Sequence, residues 1–328
     1  MGGFQQDDLY RVNYNSITQS ERENLLLSLP FGDYGLSFIR FERFERFGIV
    51  SETAVYTDDC HEFVFVPGDT VMLGWDSFAE GMNDETFKEL SEALSECDVT
   101  DVIGFLKSST SPIRQVTISP MLVEREVNTI GWREVPLDSP ELEPFKNEID
   151  KNYKWVESHG GFELNKKFRM RRFEDNLTIE LFCPVSLDEL IGKIHETKFS
   201  LPTEDEWEYL CGCGKRTLFR WGDSFDTNMK LCHFNCNDLN ESPDSLEQPN
   251  GFGLSIAYDP YMLEVVENSE YFLKGGDGGC NICGGSGIVL GYFPVSTFFR
   301  SESLSNDSLD WQSDIGGDYT FYRKVIRL

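Results

Sequence analysis

The sequence predicts an α+β protein in which little of the chain is regular helix or strand. Three observations carry this expectation. The 328 residues are 40% hydrophobic and 13% aromatic, with 26 Phe, which is enough apolar mass for a packed core. They are punctuated by 28 Gly and 13 Pro, the residues of turns rather than of long elements. Helical periodicity is confined to the part of the chain before Gly212, and beyond it Gly, Asn, Asp, Ser and aromatics dominate.

Taken in order, Ser20 to Leu29 reads as a short amphipathic helix, capped by Ser20 with Glu23 three residues on and ended by Pro30 and Gly32. Phe38, Phe41, Phe44 and Phe47 recur every third residue, which fits one helical face or a helical turn of tighter pitch forming a core stripe, with the intervening Arg and Glu as a solvated edge. Residues 1–60 are therefore expected to be a helical extension packed on a main domain of residues 61–328, because the phenylalanine stripe needs cover. Phe63 to Gly74 reads as two short strands around Pro67-Gly68. Asp84 to Cys97 is a helix with Phe87, Leu90, Ala93 and Leu94 on one face, and Val99 to Lys107 is a second. Val116 and Ile118 alternate with polar residues, which predicts a strand over Arg114 to Glu124. Pro140 to Trp155 and Ser186 to Lys198 are expected to be helical. So is Thr203 to Cys211, where Thr203 and Glu206 have the spacing of a capping box. The one basic cluster, Lys166 to Arg172, lies among acidic residues and reads as an internal ion-pair surface.

Charge narrows the function classes. With 29 basic and 57 acidic residues the net charge is −28, so a phosphate backbone and an anionic membrane surface would both be repelled. The charge reads first as a means of keeping the chain soluble; the alternative is an acidic face for a basic partner, or for hard cations such as calcium. Nine cysteines scattered over the chain do not make a disulfide scaffold. The start Met1-Gly-Gly-Phe-Gln-Gln has neither a charged n-region nor an apolar h-region. No apolar run is long enough to span a bilayer. A reducing cytoplasm with mostly free thiols is the expectation.

Five ordered segments then stand out: Val66-Pro-Gly-Asp-Thr-Val-Met-Leu-Gly74, Pro112 to Asn128, Leu201-Pro-Thr-Glu-Asp-Glu-Trp-Glu-Tyr209 with Phe219-Arg-Trp-Gly-Asp223, Asn250-Gly-Phe-Gly-Leu254, and Lys274-Gly-Gly276. Together they resemble one family, the formylglycine-generating enzymes or sulfatase-modifying-factor domains. The first resembles that family's opening strand pair and the second a following strand, and Leu201 to Tyr209 with Phe219 to Asp223 is the most specific match. The likeness covers about 265 of the 328 residues. It implies a C-type-lectin-like fold. Read physically, the matched residues are caps, aromatic anchors and turn glycines, which argue fold rather than activity.

In the enzymes of that family, two cysteines bind copper(I), and oxygen converts a substrate cysteine to formylglycine. Two soft thiolates suit copper(I). By this resemblance Cys280 stands at the offset of the first catalytic cysteine, Cys283 supplies a second thiol, and Arg300 corresponds to an arginine of the catalytic segment. The departures are substantial. Cys280 and Cys283 are three apart instead of five, and an apolar run from Gly284 to Phe299 replaces the Arg-rich segment. The tryptophans after Leu254 are missing, and of that segment only Glu264 corresponds. The family also implies calcium, for which Asn235, Asn237, Asp238 and Asn250 are the candidate oxygen ligands; the alternative is that they are turn formers. Cys211/Cys213, Cys232/Cys236 and Cys280/Cys283 form close pairs, four members of which could share a zinc ion; the alternative is small buried thiols. A three-His iron site is not expected, since the four His are unclustered. Two functions follow: a non-catalytic module that recognises another protein or peptide, which the departures favour, and a copper-dependent oxidase. For the first, the aromatic run Tyr292 to Phe299 is either a partner surface or, preferably, a core strand.

Overall fold

The computed structural model describes residues 5–173, 176–225, 229–234, 246–301, 312–313 and 315–328. In chain order the elements begin with α1 (Arg11–Ser16), α2 (Gln19–Leu27), β1 (Ser37–Arg46), β2 (Ile49–Thr57), β3 (Glu62–Val66) and β4 (Asp69–Leu73). They continue with α3 (Asp84–Ser95), α4 (Val102–Ser108), β5 (Arg114–Ile118), β6 (Met121–Glu124), β7 (Asn128–Thr129) and β8 (Trp132–Val135). Next come α5 (Lys146–His159), β9 (Gly161–Leu164), β10 (Phe168–Phe173), β11 (Asn176–Phe182), α6 (Leu187–Glu196) and α7 (Glu204–Gly212). The last are β12 (Leu263–Val265), β13 (Leu273–Lys274), α8 (Cys280–Cys283), α9 (Gly287–Tyr292), β14 (Thr320–Tyr322) and β15 (Val325–Arg327). The protein is thus mixed α+β, and its C-terminal third holds only short elements among the described residues.

The central sheet has the order β1-β2-β3-β6-β15 and divides two cores. Strand alternation sends Val55, Val64, Val66, Met121, Val123 and Val325 to one face, onto Trp75, Trp207 and the apolar residues of α9. It sends Ala54, Tyr56, Phe63, Phe65, Leu122 and Ile326 to the other, onto Leu25, Leu26 and Phe31 of the N-terminal segment. A smaller sheet, β8-β11-β10-β9, packs α5 over its own core of Val135, Val156, Phe168, Met170 and Ile179. Its β10 carries the basic cluster, and Arg169 lies 2.5 Å from Glu180 while Arg172 faces Glu157, so the cluster is an ion-pair surface as its acidic surroundings predict.

Several expectations change. The phenylalanine repeat is the strand β1, not a helix. A bulge between Phe38 and Arg40 keeps Phe38 and Phe41 on one face, 4.8 Å apart ring to ring; the next step of three then turns Phe44 to the opposite core. Phe47 falls in the hairpin turn. The N-terminal helix begins two residues early, capped by Thr18 with Glu21. A boundary at residue 60 would cut the pairing of β2 with β3: residues 37–57 supply two strands of the central sheet, and residues 5–35 cover it. β3 and β4 flank Pro67-Gly68 as expected but join different sheets, and Arg114 to Glu124 is two strands divided at Pro120. Tyr292 to Phe299 is not a strand: the end of α9 and a 3-10 turn run to Val295, a bend and turn follow, Phe299 makes a single bridge to Thr110, and burial of the whole run removes it as a partner surface. No helix of the described residues is long and apolar enough to cross a membrane.

Candidate functional site

The segment Leu201 to Tyr209 explains itself once its partners are in place. Thr203 caps α7, and its Oγ1 accepts the Glu206 N–H while the Glu206 carboxylate accepts the Thr203 N–H. Each acidic residue of the helix then meets a cation from a distant segment. Glu204 receives Lys274 Nζ at 3.2 Å and both arms of Arg300 at 2.8 and 2.7 Å. Asp205 faces Arg114, Glu206 takes a two-pronged contact from Arg327, and Glu208 lies 3.1 Å from Lys274 and 2.9 Å from Arg114. Lys274 is fully buried, and it also donates to the Phe299 carbonyl at 2.7 Å. Burial alone would raise the Glu204 carboxyl, but the charges of Lys274 and Arg300 outweigh it and hold the group at about 2. Arg300 is therefore committed to the scaffold. Glu264 is too, at 2.6 Å from the buried Arg323. Asp223 accepts the Leu218 N–H at 2.7 Å and closes the Phe219 to Asp223 turn.

Cys280 and Cys283 occupy the single turn of α8, and both are exposed thiols. Asp277 accepts the Asn281 N–H at 3.0 Å, and the Pro260 carbonyl accepts the Asp277 N–H at 2.9 Å, which staples this turn to the 259–262 segment. Gly279, at φ +78°, lets Tyr261 lie against the turn; a Cβ there would come 2.2 Å from the ring. The Tyr261 hydroxyl is 2.9 Å from Cys283 Sγ, and that contact pushes it up to about 12. Burial, then the negative charge of Asp277, raises the Cys280 thiol. This is the reverse of the electropositive setting that activates a cysteine.

Beside this turn the chain assembles a group that sequence reasoning missed. His233 Nε2 lies 2.7 Å from Asp259 Oδ1, and Cys232 Sγ lies 3.5 Å from the Tyr292 hydroxyl. One donor atom each from Cys232, His233 and Asp259 lies within 4.8 Å of the others. The His233 ring sits 4.7 Å from Tyr261, which joins this group to Cys283. The adjacency Cys232-His233 was the only sequence signal, and Asp259 is 26 residues away.

The remaining candidates separate. Cys211 and Cys213 are buried in the larger core, which pushes their thiols up to about 12 and about 11. They are small buried thiols rather than ligands, and among the described residues three members of the cysteine pairs do not converge on a metal. The side chain of Asn250 is buried and already used: Oδ1 accepts the Phe252 and Leu254 N–H groups, and Nδ2 donates to the Leu210 carbonyl. It is a turn former, not an open calcium ligand. Asn235, Asn237, Asp238 and Cys236 lie outside the described residues. Compared with protein-family models and with curated proteins, the chain matches none of them.

Proposed function

We propose that the chain is a divergent formylglycine-generating-type domain that works as a non-catalytic recognition module for a basic protein or peptide. One observation carries this reading: the cations flanking the two-cysteine turn in sequence are locked onto α7, Lys274 by Glu204 and Glu208 and Arg300 by Glu204. The Cys280 thiol is left with burial and the acidic neighbour Asp277, which disfavour the thiolate that copper(I) and oxygen chemistry require. The same locking supports the choice of partner. Arg114, Lys274, Arg300, Arg323 and Arg327 pair with carboxylates of the scaffold, so the acidic excess of a chain with net charge −28 falls on its surface. An acidic surface steers a cationic partner and weakens its binding as salt rises.

The test pairs two measurements on the whole chain. Binding of lysine-rich and glutamate-rich peptides is followed at low and high salt, with salt-sensitive binding of the lysine-rich peptide expected. Copper(I)-loaded protein is also incubated with oxygen and a cysteine peptide, and aldehyde formation is read by mass spectrometry. Formation of the aldehyde would establish the alternative, a copper-dependent oxidase, which the exposure of Cys280 and Cys283 on one turn supports.

A further inference from the structure

We infer that Cys232, His233 and Asp259 form a binding site for a divalent metal ion of borderline softness, zinc above all. The donor set selects the metal. A thiolate, an imidazole and a carboxylate together suit zinc, whereas calcium takes oxygen ligands and copper(I) prefers sulfur. Three donor atoms within 4.8 Å of one another are close to a coordination sphere before any ion enters. Tetrahedral bonds of zinc length place ligand atoms roughly 3.3–3.8 Å apart. The 2.7 Å contact between His233 and Asp259 must therefore open by about half an ångström, and the hydrogen bond there gives way to the metal. Asp259 can make this change without losing its position. Its Oδ1 also accepts the Tyr261 N–H at 2.9 Å, and both side-chain hydrogen bonds among the described residues fall on that oxygen, so Oδ2 is available to an ion.

The surroundings hold the ligands in place. The Tyr292 hydroxyl meets Cys232 Sγ at 3.5 Å and the backbone N–H of His233, so one buried tyrosine anchors both ligands of the dipeptide. The Tyr261 ring packs on the imidazole. The side chains of His233 and Asp259 keep about a quarter of their surface, 26% and 24%, which leaves a path for an ion. Binding displaces the Cys232 thiol proton to solvent and forms the metal–sulfur bond, with no change of oxidation state. Three protein ligands leave the fourth tetrahedral position for water or for a donor from a bound partner.

The test uses the full chain, reduced and stripped with a chelator, titrated with zinc against a chromophoric indicator and separately with cobalt(II) as a spectroscopic probe. One zinc per chain with a dissociation constant of about 1 μM or below is expected, together with a sulfur-to-cobalt charge-transfer band that zinc abolishes. Cys232→Ser should remove the band, and His233→Gln or Asp259→Asn should each weaken zinc by about 100-fold or more. The metal-free melting curve of each variant reports folding, and the wild-type spectrum needs no variant. A wild-type cobalt complex without a thiolate band overturns the site. So does a band that survives Cys232→Ser and is lost in Cys280→Ser/Cys283→Ser, because the metal would then belong to the α8 turn.

Discussion

A fully buried ammonium between two carboxylates places most of its energetic weight on one residue. Lys274 balances Glu204 and Glu208, and without it these groups would face each other in the interior. Lys274→Met is expected to lower the unfolding free energy by about 3–5 kcal/mol, measured by denaturant titration. Protonating Glu204 tests the same contact from the other side. Its folded value of about 2 lies below the unfolded value of 4.5, so its contribution is complete above about pH 4.5 and disappears as pH falls through about 2. About 3 kcal/mol should be lost across that window, and Glu204→Gln should flatten this part of the stability–pH curve. The cysteines divide by burial in the same way. Iodoacetamide near pH 8 should modify Cys280 and Cys283 in the native protein and spare Cys211 and Cys213, whose thiols burial pushes up to about 12 and about 11. Peptide mapping of the alkylated protein decides this; early labelling of Cys211 would show that the larger core opens.

At the level of elements, the turn Asn250 to Leu254 and the strand β1 are fitted to each other. Gly253 has φ +84°, and a Cβ there would come 2.5 Å from the Phe44 ring. Gly253→Ala is therefore expected to cost about 2–4 kcal/mol, from left-handed backbone strain plus displacement of Phe44 from the core. Thermal unfolding measures the loss, and a melting temperature equal to wild type would mean that the ring has room to move. The helices α3, α6 and α7 were legible because their signals are local: an apolar repeat, a cap, and an acidic first turn within about ten residues. β1 was not legible. A strand with a bulge and a change of face leaves phenylalanines three apart, the same imprint as a tight helical stripe, and only its pairing with β2 distinguishes the two.

For the whole molecule, residues 5–35 act as a lid on the central sheet. Leu9, Tyr14, Leu25, Leu26 and Phe31 cover Phe63, Phe65 and Leu122, and the Arg11 N–H and Gly68 carbonyl are 2.7 Å apart where the lid meets the Pro67-Gly68 turn. A chain starting at Leu36 should expose this face and bind a hydrophobic dye in proportion, with loss of a sharp unfolding transition. An unchanged calorimetric transition would show instead that the C-terminal elements alone hold the sheet.

The sequence by itself determined the helices α3, α6 and α7, the turn-rich C-terminal third and the acidic balance. Those features are local, or they are sums over composition. Tertiary structure decided which residues were available for chemistry. Arg300 and Asn250 look like site residues in the sequence, but one is claimed by Glu204 and the other by backbone groups. Cys232, His233 and Asp259 gave little sign of belonging together, yet they converge. The reason is physical: a buried charge or amide must find its partner wherever the chain returns, and here the partners of Glu204 lie 70 and 96 residues further on.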